Sequence, residues 1–200
     1  HPLPNSQVLC FTNATRKGMN EAVRDVLNPA VAGHIGDSWR VNDRVICIKN
    51  GRHNGEINGA LAWIRAQSES YITVQWDDDD SELKVNRKKF AQFFELGYVI
   101  TFHKAQGSEW PYTMVLFNEA SRYLSAELLY TAFTRAQRSV CLLSYPPLIR
   151  EALSQVGQTS FSGESRLAQR LRDALITEES VCSETSAASE TPLVTAMEVM

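Results

Sequence analysis

Three short apolar runs constrain the fold more than any other feature of the chain. They are residues 7–12 (Gln-Val-Leu-Cys-Phe-Thr), 113–117 (Thr-Met-Val-Leu-Phe) and 139–144 (Ser-Val-Cys-Leu-Leu-Ser). Such runs are short for helices and too continuously apolar for half-exposed strands, so they predict strands inside a parallel sheet. After the first run, Asn13 and Thr15 offer capping chemistry. Met19, Ala22, Val23, Val26 and Leu27 then recur at helical spacing until Asn28-Pro29 stops the helix. Strand, polar turn and helix make the repeating unit of an α/β domain. A second helix is expected over residues 126–135, opened by Ser125. Pro147 can open a third, and Leu167, Leu171, Ala174 and Leu175 mark the stripe of a last one.

The pattern changes near Gly36. Residues 43–49 alternate, Asn58-Gly59 is a strong turn signal, and residues 71–76 alternate again. Residues 77–80 are four aspartates, read as a solvated hairpin tip because the run lacks the spaced ligands of a calcium loop. Short strands at this density predict a small barrel set into the α/β domain. Helical spacing returns at Phe90, Phe93, Leu96, Ile100 and His103, with Gly107 where such a helix would end. On that helix Thr101, Lys104 and Ser108 would share one face.

The formal charge is −3, but five of the 23 acidic residues lie beyond residue 177, where no Lys or Arg occurs. The remaining 18 acids face 20 basic residues, a balance that permits nucleic acid as a partner without requiring it. Residues 178–200, rich in Ser, Thr, Ala and Glu and free of aromatics, are expected to be disordered. Cys10, Cys47, Cys141 and Cys182 are too scattered for a zinc site, so no metal site is expected and the thiols suit a reducing cytoplasm. No apolar run approaches the ~20 residues that cross a bilayer. The chain opens on His1 and runs almost directly into a strand, which reads as a piece of a longer polypeptide.

Two blocks carry chemistry. Residues 98–110 read Tyr-Val-Ile-Thr-Phe-His-Lys-Ala-Gln-Gly-Ser-Glu-Trp, and residues 128–136 read Leu-Leu-Tyr-Thr-Ala-Phe-Thr-Arg-Ala. Each joins an apolar scaffold to donors suited to phosphate. Taken singly they have plain readings: Arg135 as a solvated helix-end cation, Gly107 as a helix cap, Thr101 and His103 as satisfied packing residues.

In this order the two blocks resemble motifs V and VI of superfamily 1 helicases of the RecD and phage Dda type. Residues 42–51 and 55–60 resemble the start of the Src-homology-three-like barrel inserted in those helicases, and Phe11-Thr-Asn13 with Arg16 resembles their motif IV region. The resemblance implies a RecA-like motor domain over 1–35 and 94–177, an inserted SH3-like barrel over 36–93, and a tail over 178–200. It makes Arg135 the arginine finger, with Gly107, Glu109 and Arg135 facing ATP. Gln137 departs from the pattern, where the family commonly has another basic residue. Asn13, Thr101, His103 and Lys104 become contacts to single-stranded DNA.

No phosphate-loop motif occurs in the chain, and no Asp-Glu pair follows a buried strand. ATP and Mg²⁺ would therefore be held mainly by a preceding RecA-like motor domain, which this chain would complete as the second wall of a DNA helicase. A 5′ to 3′ polarity comes from the resemblance alone. The alternative is a module that keeps the helicase half but binds DNA or protein without catalysis.

Overall fold

The computed structural model describes residues 5–30, 38–50, 57–117, 134–144 and 193–198. In chain order these form β1 (Ser6–Cys10), α1 (Asn13–Leu27), β2 (Arg44–Cys47), β3 (Leu61–Gln67), β4 (Tyr71–Trp76) and β5 (Glu82–Asn86). A 3-10 turn (Arg87–Lys89) leads into the single-turn α2 (Phe90–Phe93). There follow β6 (Phe94–Leu96), β7 (Val99–Thr101), β8 (Trp110–Phe117), β9 (Ala136–Ser144) and β10 (Leu193–Glu198). The chain divides into two compact units, one of His1–Phe11 with Ala105–Met200, the other Thr12–Lys104.

In the first unit, β1 and β9 flank β8 and both run parallel to it. The three apolar runs thus become neighbouring parallel strands, as their composition implies, within an α/β fold. Register sets Gln7 beside Thr113 and Val140, and Leu9 beside Val115 and Leu142, so one face of the sheet is fully buried. The opposite face is less covered than expected. Met114, between Val8 and Cys141, is 36% exposed.

β10 pairs antiparallel with β9 from Leu193 to Glu198. This corrects the expectation of disorder for those six residues. Their run of Leu, Val, Thr, Ala and Met suits a pleated edge, and the polar, acidic composition of the whole tail hid it. The helices expected over 126–135, after Pro147 and around Leu167–Leu175 fall on residues outside those described, apart from Thr134 and Arg135, which form a turn.

In the second unit an antiparallel sheet runs in the order β5-β4-β3-β2-β6. Its core is Val45, Cys47, Ala62, Ile64, Ile72, Val74, Val85, Phe90 and Phe94. Phe90 stacks on Phe94 at 4.6 Å, and Trp39 meets Phe90 edge-on at 4.9 Å. Asn58 and Gly59 make the expected turn. Gly59 takes φ 92°, and the Ala60 N–H donates to the Ile57 carbonyl at 3.1 Å. The four aspartates are not all solvated. Asp77 turns inward and pairs at 2.8 Å with Arg44, which is buried and lies over the Trp63 ring. Asp79 instead accepts from the Ser81 N–H and hydroxyl.

Two sequence expectations fail in this unit. The helix begun at Phe90 ends after one turn, because residues 94–96 pair with β2 and residues 99–101 form β7. Val99, Ile100 and Thr101 are β-branched, and Gly97 before them favours no helix. At Gly97 a Cβ would lie 2.7 Å from the Val45 carbonyl carbon, a closeness that only glycine permits. The second failure concerns α1. Its cap is Thr12, whose Oγ1 accepts from the Thr15 N–H at 3.2 Å, and its buried residues are Thr15, Arg16 and Asn20. Val26 of the expected apolar stripe is 80% exposed. Specific hydrogen bonds, rather than apolar area, decide which face of this helix turns inward.

Beyond its last turn, Asn28 donates to the Val41 carbonyl and to Asp43 Oδ1. Asp43 also accepts from the Arg40 N–H and the Tyr98 hydroxyl. Burial raises the Asp43 carboxyl above the usual range, against the pull of these donors. Burial first, and the Asp43 charge second, push Tyr98 up to about 12.

Candidate functional site

Two clusters hold the residues singled out by sequence, one in each unit. In the first unit, residues 105–109 form the turn that feeds β8. Gly107 takes φ 87°, a left-handed conformation that favours glycine, and nothing lies within 4 Å of where a Cβ would stand. It is a turn residue with open space around it, not the helix cap that spacing suggested. Ser108 N–H then donates to the Ala105 carbonyl at 3.1 Å.

Arg135 sits immediately before β9, opposite the start of β8. Its carbonyl accepts from the Trp110 N–H at 2.9 Å and from the Thr113 hydroxyl at 3.4 Å. Arg135 is half-buried, and its guanidinium donates through Nη1 to the Ser108 carbonyl and through Nη2 to Thr134 Oγ1, both at 3.2 Å. Parallel pairing of β8 and β9 therefore brings Arg135 to the turn that carries Gly107 and Glu109, although the two segments stand 27 residues apart. Glu109 is exposed. A cation with directional donors, a carboxylate and an open glycine turn form a set that can receive a phosphorylated ligand.

The second cluster joins α1, β6 and the turn after β7. Thr101 ends β7 and is buried, and its carbonyl accepts from the Lys104 N–H at 2.9 Å. His103 is exposed and Lys104 half-buried. The shared helical face expected for Thr101, Lys104 and Ser108 does not exist, because the segment is strand and turn. Asn13 opens α1 and accepts from Arg16 Nε at 3.1 Å. Arg16 is buried and pairs through Nη1 with Glu95 at 2.6 Å, and Lys104 Nζ lies 3.5 Å from the same carboxylate oxygen.

Sequence reasoning passed over Glu95 and Asn20. Asn20 Nδ2 donates to the Arg16 and Val99 carbonyls at 2.8 and 2.7 Å. A polar residue three positions before Val23, on the flank of the expected stripe, is the one sign that could have flagged it. Among the described residues, no group of three His, Cys, Asp or Glu side chains is placed to hold a metal ion. No helix among them is long and apolar enough to cross a membrane.

Known proteins resemble this chain in sequence and in fold. The model of the UvrD-like helicase C-terminal domain matches residues 96–143, a stretch that includes β7, β8, Arg135 and all of β9 but its last residue. The chain is 35% identical over 124 residues to the ATP-dependent RecD2 DNA helicase of Deinococcus radiodurans, which covers 60% of this chain and 17% of that protein. The Pif1 helicase of Candida albicans superposes with a TM-score of 0.52 at 14% identity, over 87% of this chain and 50% of that one. A Bacteroides Pif1 helicase, solved with ADP-AlF3 and ssDNA, gives 0.50 at 20% identity over 66% and 38%. The structural likenesses carry the fold, and the chain spans well under two thirds of each of these proteins. The chain carries a match to the UvrD-like helicase C-terminal domain and is similar to superfamily 1 helicases of the RecD kind.

Proposed function

We propose that this chain is the C-terminal motor half of an ATP-dependent DNA helicase, with 5′ to 3′ polarity, and that Arg135 is its arginine finger. The supporting observation is the 3.2 Å hydrogen bond from Arg135 to the Ser108 carbonyl, which holds the guanidinium beside Gly107 and Glu109. A guanidinium presented to a γ-phosphate neutralises charge growing on the transferring oxygens, an effect worth roughly 10³–10⁵ in rate. Gly107 lets the backbone approach the nucleotide, and the exposed Glu109 carboxylate faces the ribose. ATP and Mg²⁺ are held mainly by a preceding RecA-like domain that supplies the phosphate loop.

The exposed His103 and the half-buried Lys104 are the donors of the single-strand track, with Asn13 at the opening of α1. Thr101 is buried and serves the track through its carbonyl, which fixes the turn. Donors of this kind hold phosphates without reading bases, as a motor that moves along any sequence requires. The motor domain comprises residues 1–35 and 94–177, and residues 36–93 are an SH3-like barrel. The antiparallel strand order β5-β4-β3-β2 within residues 36–93 supports that reading. The helicase works inside the cell, with no membrane contact.

Arg135→Ala in the full-length helicase tests the assignment. DNA-stimulated ATP hydrolysis should fall by at least about 10³-fold while nucleotide binding changes little. Turnover within a few-fold of wild type would overturn it.

A further inference from the structure

One carboxylate in the second unit serves two cations. Glu95 Oε2 lies 2.6 Å from Arg16 Nη1 and 3.5 Å from Lys104 Nζ. The two contacts differ in kind. Arg16 has a side chain only 6% exposed and is fixed on its other edge by Asn13 Oδ1 at 3.1 Å. Its bond to Glu95 is at the short end for a charge-assisted pair. Lys104 is 28% exposed and sits beyond the ordinary 2.7–2.9 Å of such a bond, held by attraction rather than by a formed hydrogen bond. The three groups together carry one net positive charge.

The asymmetry has a consequence. Arg16 cannot leave Glu95 without stranding a buried charge, whereas Lys104 can leave at little cost, since partly exposed pairs are worth at most about fivefold in an equilibrium constant. If an anion arrives, Lys104 can swing to it while Glu95 remains neutralised by Arg16.

We infer that Glu95 is a positioning residue that restrains Lys104 between binding events and releases it to a phosphate. This inference rests on the assignment of Lys104 to the strand track. In that role the carboxylate weakens the resting grip, because phosphate must compete with it for the ammonium. Arg16 and Asn13 are the fixed side of the device and Lys104 the movable side. The ligand chemistry is a phosphate oxygen, either of a single-strand backbone or of a nucleotide.

The test uses the full-length protein and a double-mutant cycle between Glu95→Gln and Lys104→Met. Glutamine keeps an oxygen for Arg16 and removes the charge that holds Lys104. Affinity is read in two arms, oligo(dT) without nucleotide and Mg-ATP without DNA. In the arm whose phosphate Lys104 meets, Glu95→Gln should tighten binding by about fivefold. Lys104→Met should weaken it and lower the salt slope by about one. In the Lys104→Met background, Glu95→Gln should shift affinity by less than about twofold.

A gain confined to oligo(dT) identifies the backbone as the source, and a gain confined to Mg-ATP identifies the nucleotide. An equal gain with and without Lys104 would show only removal of a nearby negative charge and would overturn the inference. So would no gain in either arm. If Glu95→Gln melts well below wild type, Glu95→Asp replaces it, keeping the charge for Arg16 while shortening the reach to Lys104. A gain that depends on Lys104 then supports the inference, and its absence overturns it. If the wild-type protein binds neither ligand, the strand-track assignment itself fails and the inference falls with it. Wild-type binding without Lys104-dependent coupling sinks the inference alone.

Discussion

Asn20 holds Val99 with both ends of its side-chain amide. Nδ2 donates to the Val99 carbonyl at 2.7 Å, and Oδ1 accepts from the Val99 N–H at 2.9 Å. One side chain thus does for β7 what a neighbouring strand would do, and it anchors α1 to the segment that leads into His103 and Lys104. Asn20 is 2% exposed, so water cannot take over either bond. Asn20→Leu, similar in size, should cost about 2–4 kcal/mol, because two buried backbone groups lose their partner. The shift in urea midpoint measures this. A change below about 0.5 kcal/mol would mean that the clamp contributes nothing.

Gly97 and Gly18 should respond to alanine in opposite directions. At Gly97 the added carbon meets Val45 and Ile46 backbone at 2.7 and 2.9 Å, and neither can step aside as a flexible side chain could. A loss of about 1–3 kcal/mol is expected for Gly97→Ala. Gly18 lies inside α1, and nothing comes within 4 Å of its added carbon. There alanine should gain about 0.5–1 kcal/mol through helix propensity and a less flexible unfolded chain. Thermal melts of the two single variants decide the matter. A gain or no change in Gly97→Ala would show that the close approach of Gly97 to β2 is not a constraint.

Tyr98 gives an alkaline signature. Its folded value of about 12 lies above the ordinary 10.0. Between those pH values the folded state keeps the phenolic proton and the unfolded chain loses it. The contribution is therefore fully present below pH 10 and lost as pH rises through about 12. Tyr98→Phe removes the hydroxyl that reaches Asp43 Oδ1 at 3.2 Å, so it should be less stable than wild type at pH 8 by about 1 kcal/mol. It should also lose stability less steeply from pH 10 to 12. Denaturant midpoints at pH 8, 10, 11 and 12 compare the two proteins, and parallel curves would contradict the assignment.

The parts legible in the sequence are those with a local or compositional signal. The apolar runs containing Leu9, Val115 and Leu142 declared themselves as sheet neighbours, and Asn28-Pro29 marked the end of α1. The segment after Phe90 misled because Phe93, Leu96 and Ile100 fit a helical stripe as well as two short strands. Only the pairing of Leu96 with Val45, distant in sequence, decides between them. The pairings of Arg44 with Asp77 and of Arg16 with Glu95 were illegible for the same reason, since each joins residues more than thirty positions apart with no repeating pattern. At the candidate site the sequence named Arg135 and Gly107. It did not supply the carbonyl of Ser108 that joins them.

That carbonyl makes Gly107 the sharpest remaining test. Residue 107 sets the direction of the chain into Ser108, and the Ser108 oxygen receives Arg135 Nη1 at 3.2 Å. Alanine at 107 meets no obstruction, but φ 87° strains any residue with a side chain by about 1–2 kcal/mol. The turn should relax toward negative φ and swing the Ser108 carbonyl away from the guanidinium. Gly107→Ala is therefore expected to lower the melting free energy by no more than about 2 kcal/mol. In the full-length helicase it should also reduce ATP turnover by about tenfold or more, because small misplacements of a charge-stabilising group are costly. Gly18→Ala, remote in sequence and sterically free, is the control that should leave turnover unchanged. Full turnover in Gly107→Ala would separate the turn from the proposed role of Arg135, leaving the contact between Ser108 and Arg135 as a structural tie alone.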